Sequence, residues 1–421
     1  MLNGVHVINF GNHRDTRMSF GPFNALVGQN GAGKSTIFRA ILAYRDAQTP
    51  KERQTGELDF KAALEWPTWY VRSGETGGRV AIGQHSHLKG GLQVFGGILD
   101  GRINELICEC SPDFRWLTGE KESQKLTWIP RADFIASLSE DMKEAMFAAV
   151  KKNIEQTNPE TPVEMPKYRV ESQKKLPQEL SDAAKRIHYF KAEGGVISEP
   201  SYTTEVPPRM SEHGLHLASV VANMIGSEPE RFEEMLDAFR SVIPSIKRIL
   251  TRRREITIKE QRMIVVNRKE VPFEEERTVA GDELIFDTVA GRLPMQAMSE
   301  GTMMALAILT QVYAQDGSAV LLLDDIEQGL HAKAQHELIS QLRKIQKRRT
   351  DLQIILSTHS PFIIDEMTAD EIWLLHSTNE TGAKARKLSE HPDSERALKV
   401  LSTGEFWSAE GEEWVVEPTA K

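Results

Sequence analysis

Residues Val5-His6-Val7-Ile8-Asn9-Phe10 alternate apolar and polar side chains, the signature of a half-buried strand. A second strand is predicted over 23–27, running straight into a glycine-rich turn. Ile37, Phe38, Ile41 and Leu42 then recur at helical spacing, which predicts a helix from 34 to about 44. Near the other end the apolar runs no longer alternate: Ala319-Val320-Leu321-Leu322-Leu323 and Ile354-Ile355-Leu356 are apolar throughout. Strands of that texture are buried on both faces, as in a parallel sheet. Helical patterns over 300–313 and 332–347 and a strand over 371–375 complete an alternating α/β stretch.

The middle of the chain reads differently. From 66 to 130, Gly-Gly pairs at 77–78, 90–91 and 96–97 punctuate short apolar runs, which predicts an antiparallel side sheet. Helical patterns follow over 140–156, 179–192, 215–225 and 229–242, broken by prolines between 159 and 208. Strands return at 255–258 and 263–266. The expected division is an N-terminal part over 1–134, a helical insertion or lid over 135–254, and a C-terminal part over 255–421, both ends building one sheet.

Composition narrows the class. The chain has 421 residues, 27% charged and 40% hydrophobic, enough to bury a substantial core. Its net charge of −9 argues against a uniformly basic nucleic-acid sleeve, although a local basic face remains compatible with it. No run of about 18 apolar residues occurs, and the start has no basic segment leading into an apolar one, so a cytoplasmic, non-membrane protein is expected. Cys108 and Cys110 share one strand face but are too few for a zinc site and are read as core residues.

The chemistry begins at Gly28-Gln29-Asn30-Gly31-Ala32-Gly33-Lys34-Ser35, which satisfies G-x-x-x-x-G-K-[ST] between a strand and a helix. Its glycines let backbone amides curl round phosphates at the positive end of the following helix. The phosphates are placed over Gly28 to Thr36, with Lys34 expected to reach the terminal ones and Ser35 to ligate Mg²⁺. A matching acidic element is Leu321-Leu322-Leu323-Asp324-Asp325, carboxylates at the end of an apolar strand. Asp324 is placed on Mg²⁺ through water and Asp325 on the attacking water; capping of the next turn is the plainer alternative. Ser357-Thr358-His359-Ser360-Pro361 ends another apolar strand, where His359 could sense a γ-phosphate. Ser299-Glu300-Gly301 opens an apolar helix and, taken alone, is a helix cap.

In that order these motifs, with Glu327-Gln328-Gly329-Leu330-His331 after the acidic pair, resemble the ABC-type ATPases related to RecF, SMC and OLD proteins. Within that group the chain is similar to stand-alone AAA-type ATPases of bacterial antiphage loci, such as the ATPase subunits of the PARIS and Septu systems. The resemblance covers both ends of the chain and only loosely the middle. It implies an α/β fold with an ABC-type ATPase head, an antiparallel side sheet and a helical insertion. It also implies ATP and Mg²⁺ as ligands, and a head-to-tail dimer or larger homo-oligomer. In such a dimer Ser299 and Gly301 of one copy meet the nucleotide held by residues 30–36 of another. Gly329-Leu330-His331 would face the dimer partner, and His359 would be the switch histidine. The family's Q-loop glutamine, a metal contact, has no local pattern to fix it; Gln84 is the candidate. Two departures stand out. Asp325 replaces the usual glutamate and is one methylene shorter, which implies slow hydrolysis and leaves room for Glu327 to contribute. Glu300 replaces a glycine and must turn away from phosphate.

Two basic runs, 247–254 and 343–349, make DNA a candidate partner, a solvated charged face being the plainer reading. Trp407 and Trp414 in the acidic tail are expected to pack on their own domain, with a docking surface as the alternative. No TOPRIM-like acidic cluster, HNH-like finger or G-x-S-x-G is found, so a separately encoded effector, with nucleases as the leading class, is the expected output. The competing readings are a RecF-like DNA repair ATPase that clamps duplex DNA, and a transporter motor.

Overall fold

The computed structural model describes residues 1–48, 80–83, 92–99, 102–110, 178–266, 269–378 and 380–416. Its N-terminal strands are β1 (Gly4–Phe10), β2 (His13–Ser19), β3 (Phe23–Val27), β4 (Val80–Gly83), β5 (Leu92–Leu99) and β6 (Arg102–Cys110). Then come β7 (Ile187–Phe190), β8 (Ile246–Val266), β9 (Lys269–Thr288) and β10 (Gly291–Pro294). The last are β11 (Ala319–Leu323), β12 (Leu352–Thr358), β13 (Ile372–Thr378) and β14 (Gly382–Lys387). The main helices are α1 (Lys34–Gln48), α2 (Gln178–Lys185), α3 (Leu217–Ser227), α4 (Pro229–Val242), α5 (Glu300–Tyr313), α6 (Ala332–Arg348) and α7 (Thr403–Glu410).

Eleven of these strands form one sheet in the order β4-β5-β6-β1-β2-β14-β13-β3-β12-β11-β7. From β13 to β7 all neighbours are parallel, and there β3, β11 and β12 are buried along their whole length. That is why their sequences show no alternation: both faces are covered. Leu26, Val320, Leu322, Ile355 and Leu375 face Ile37, Phe38, Ile41 and Tyr44 of α1. Ala25, Leu321, Leu323, Ile354, Leu356 and Leu374 belong to the opposite core, with α3, α4, α5 and α6. The two ends of the chain do build one sheet: β1 to β3 interleave with β11 to β14. The expected side sheet is an antiparallel extension, β4-β5-β6, joined through β6 running parallel to β1.

In the described part of the expected helical insertion or lid, 178–254, strands accompany the helices. The helix expected over 179–192 stops at Lys185, and Ile187-His188-Tyr189-Phe190 continues as a strand. These β-branched and aromatic residues add in parallel to the second edge of β11, with Val320 opposite Ile187 and Leu323 opposite Phe190. Strand β8 begins at Ile246, before the expected boundary at 254, and merges the strands anticipated at 255–258 and 263–266. It forms a long antiparallel ribbon with β9, from Ile246 opposite Thr288 to Val266 opposite Lys269. Ile246, Ile249, Leu284 and Phe286 bury its base in the core, whereas Thr251 to Glu255 are exposed. The helix expected over 140–156 lies outside the described residues. In the tail, Trp414 is buried edge-on against His391, and Trp407 packs on the main core, as expected.

Candidate functional site

Four parallel strands end on one edge of the sheet, and each delivers a different group there: β3 leads to Gly28, β7 to Lys191, β11 to Asp324 and β12 to His359. Register fixes this convergence, because Leu323 lies beside both Leu356 and Phe190, and the Asp324 amide donates to the Phe190 carbonyl at 2.9 Å. Carboxyl ends of parallel strands are where open α/β sheets bind ligands.

The loop 28–33 needs its glycines. Gly28, Gly31 and Gly33 have φ of 152°, 86° and 104°, a region that L side chains rarely adopt. A Cβ at Gly28 would sit 2.3 Å from the Leu375 carbonyl oxygen, and one at Gly33 would sit 2.5 Å from His13 Nε2. Gly31 instead faces open space. Ala32 is buried beneath the loop, Asn30 is exposed, and the Thr36 amide donates to the Gly33 carbonyl at 3.0 Å as α1 begins. Two residues far from the motif brace the loop: Asn12 donates to the Gly31 carbonyl at 2.9 Å, and His13 Nε2 lies 3.1 Å from the Gly33 carbonyl. Burial pushes the His13 pKa down to about 4, against the small upward pull of that carbonyl, so the ring is neutral at pH 7.

Lys34 folds over the loop, its ammonium 2.5 Å from the Gly28 carbonyl and 3.2 Å from that of Gln29. Burial lowers its pKa, opposed by Asp325, Glu327 and Asp324. Ser35 donates to Asp324 Oδ1 at 3.3 Å, which joins the glycine-rich loop to the acidic strand across 289 residues. The other Asp324 oxygen accepts from Tyr189 at 2.9 Å, and Ser357 also donates to Oδ1. Asp325 sits at φ 53°, a left-handed conformation unusual for a non-glycine residue, with its amide donating to Ser357 Oγ at 2.9 Å. Its carboxylate pairs with Lys191 at 2.6 Å. Glu327 is buried; one oxygen takes the His359 amide at 2.9 Å and His359 Nδ1 at 2.5 Å, and the other has no hydrogen-bond partner. Ligand atoms of Asp325, Glu327 and His359 lie within 4.8 Å of one another.

The donor set fits a magnesium–triphosphate. A hydroxyl and a carboxylate already meet at Ser35 and Asp324, hard oxygen ligands of the kind Mg²⁺ takes. An ammonium lies on the loop, and an open glycine backbone faces outward at the N-terminus of a 15-residue helix.

Ser299 and Gly301 form a second group. Ser299 caps α5, accepting from the Thr302 amide at 3.3 Å, which bears out the capping reading. Gly301 packs so tightly on the turn after β11 that a Cβ would be 2.1 Å from the Gly329 carbonyl oxygen. The Glu300 carboxylate is turned over Gly194 and lies 3.5 Å from Gln328 Nε2. Gln84 lies outside the described residues.

Sequence reasoning missed Tyr189, Lys191, Asn12 and His13, and gave Ser357, which opens the Ser-Thr-His-Ser-Pro motif, no role of its own. Tyr189 and Lys191 fell in a stretch read as helix, and the aromatic, β-branched run from Ile187 to Phe190 was the signal that could have placed them. The basic runs are largely engaged. Arg252 and Arg254 pair with Glu283, Arg253 with Asp282 and Arg343 with Glu371, at 2.5 to 2.8 Å.

Residues 171–365 match a family model described as "AAA domain, putative AbiEii toxin, Type IV TA system", and residues 5–63 match one described as "AAA domain". A retron Ec83 probable ATPase from Escherichia coli is 29% identical over 105 residues, which span 22% of this chain and 19% of that protein. Among solved structures, an SMC head bound to the C-winged helix domain of ScpA aligns over 95% of this chain and 99% of its own, with TM-score 0.41 and 14% identity. The SMC head domain from Thermotoga maritima aligns over 91% and 97%, with TM-score 0.36 and 10% identity. No helix among the described residues is long and apolar enough to cross a membrane.

Proposed function

We propose that this ABC-type AAA ATPase binds Mg²⁺ and ATP at residues 28–36, hydrolyses ATP slowly, and uses nucleotide-driven head-to-tail dimerisation to control a separate effector in bacterial defence. The observation that carries the nucleotide part is the Ser35 to Asp324 hydrogen bond, since it joins two elements whose shared use is Mg²⁺ and phosphate. Ser35 and Asp324 would hold Mg²⁺, which would supply positive charge against the negative charge developing on the phosphates. Lys34 then moves from the Gly28 and Gln29 carbonyls onto the phosphates, while Tyr189 and Ser357 hold Asp324 in place. The water oxygen bonds to the γ-phosphorus as the bond to the bridging oxygen breaks and its electron pair leaves on ADP. The proton of that water passes to Asp325 and on to phosphate. Glu327 fixes His359 at the same edge.

Dimerisation rests on the resemblance in motif order: Ser299 at the N-terminus of α5 would meet the γ-phosphate held by another copy. The toxin–antitoxin description of one matching family and the retron relative support a defence setting. The test combines turnover with mass. Asp325→Asn should abolish hydrolysis and trap an ATP-dependent dimer in light scattering, and Lys34→Ala should stay monomeric with ATP. Turnover untouched by Asp325→Asn but abolished by Glu327→Gln would move the water-activating role to Glu327. A mass independent of ATP would reject the dimer, and no co-purifying protein with ATP and Mg²⁺ present would reject effector control.

A further inference from the structure

Lys191 has no role in the motifs that compose the site, yet its ammonium lies at the centre of it. It is 2.6 Å from Asp325 Oδ2 and 4.0 Å from Asp324 Oδ2. Ser35 faces the other oxygen of Asp324, so Lys191 and Ser35 approach that carboxylate through different atoms. The backbone at Lys191 is set on both sides. The preceding residue, Phe190, is paired to the acidic strand, and the Lys191 amide donates to the Glu212 carbonyl at 2.8 Å. The sheet therefore sets the Lys191 backbone beside the carboxylates that its ammonium meets.

Stability does not account for the pair. The Lys191 side chain is 37% exposed and that of Asp325 29%, and ion pairs this open contribute about 0–1 kcal/mol. Asp325 is meanwhile held in a left-handed backbone conformation, the kind of strain that persists where function requires it. Two ammonium groups, Lys34 and Lys191, face three carboxylates, Asp324, Asp325 and Glu327. While Lys191 occupies Asp325 Oδ2, that oxygen is not free to take a proton from water. A terminal phosphate arriving beside Asp324 offers the ammonium a more highly charged partner within a side-chain rotation.

Resting on the ATPase reading above, we infer that Lys191 is a γ-phosphate ligand supplied by the same chain: paired with Asp325 without nucleotide, it transfers to a γ-phosphoryl oxygen when ATP binds, and so frees Asp325 for water. Lys191 keeps its proton throughout. It balances negative charge on the transferring phosphoryl group, and the only proton that moves is the one leaving water. ADP lacks its target, so Lys191 distinguishes ATP from ADP in binding as well as in turnover.

The test measures the affinities of the intact chain for ATP and ADP, each with Mg²⁺, by displacement of a fluorescent nucleotide, beside single-turnover hydrolysis and thermal melting without nucleotide. Loss of one charge-assisted hydrogen bond predicts that Lys191→Gln lowers the preference for ATP over ADP by about 10- to 100-fold. The rate should fall with it, while the nucleotide-free melting temperature stays near that of the parent chain. Lys191→Arg should recover most of the preference. An unchanged ATP-to-ADP ratio in Lys191→Gln, or faster hydrolysis, would overturn the phosphate contact and leave Lys191 as a restraint on Asp325 alone. A parent chain that binds neither nucleotide would instead overturn the ATPase reading, and this assignment with it.

Discussion

Acidification should loosen the glycine-rich loop through His13. Its ring is fully buried between Thr16, 2.9 Å from Nδ1, and the Gly33 carbonyl, 3.1 Å from Nε2. Burial lowers its pKa from 6.5 to about 4, so between those values the unfolded chain binds a proton that the folded chain refuses. Stability is then fully present above pH 6.5, is lost as pH falls, and the loss levels off below about pH 4. The whole shift corresponds to about 3 kcal/mol, of which about 2 kcal/mol should disappear between pH 7.5 and 5. His188 is lowered to about 4 as well, by burial and by Arg45 and Arg209, and adds a loss of the same sign. The two are separated by substitution. Urea unfolding of the parent, His13→Gln and His188→Gln at both pH values should give each variant a shallower pH dependence, by about 2 kcal/mol. Under the proposed function only His13→Gln should also change nucleotide affinity, because of the two histidines only His13 touches the loop. A pH dependence in His13→Gln as steep as the parent's would refute the assignment.

The other expectations concern α5 and the ribbon. Gly301→Ala drives a methyl into the Gly329 carbonyl and should cost about 1–3 kcal/mol in unfolding experiments, whereas Ser299→Ala removes only a cap and should cost about 1 kcal/mol. Under the proposed function Ser299→Ala should nevertheless lose turnover and ATP-dependent dimer together, and an unaffected dimer would confine Ser299 to capping. Burial raises the Glu283 pKa, but Arg252 and Arg254 outweigh it and hold the carboxyl below its usual range, so this stability is present above pH 4.5 and lost as pH falls below it. Glu283→Gln should therefore flatten the acid limb of unfolding; a limb as steep as the parent's would mean that the arginines do not hold the carboxylate.

What the sequence made legible was what depends on local pattern. The glycine loop was readable because Gly28, Gly31 and Gly33 each occupy a backbone region that other residues avoid, so the constraint is written in residue type. Strands β3, β11 and β12 were readable because burial on both faces removes alternation. Helix α5 was anticipated at both ends, since Ser299 caps it and the apolar run fills it. Tyr189 and Lys191 were not legible. A four-residue strand carries too little periodicity to compete with a preceding helix, and only the free edge of β11 makes it a strand.

The basic run at 247–254 shows the converse, a pattern that was legible yet incomplete without its neighbour. Read along the chain, Arg252, Arg253 and Arg254 are three adjacent positive charges, which suits a phosphate backbone. Read across the ribbon, they meet Glu283 and Asp282, residues about 30 positions away that pairing of β8 with β9 sets opposite them. Two carboxylates against three guanidiniums leave a net charge of +1, so the side chains that looked available for a polyanion already have partners. A polyanion binding there would have to compete with carboxylates held at 2.5 to 2.7 Å, one of them fully buried. At the sheet edge Lys191 is also paired, but with a half-buried aspartate in a left-handed backbone conformation, and under the assignment proposed above a terminal phosphate is the stronger claimant.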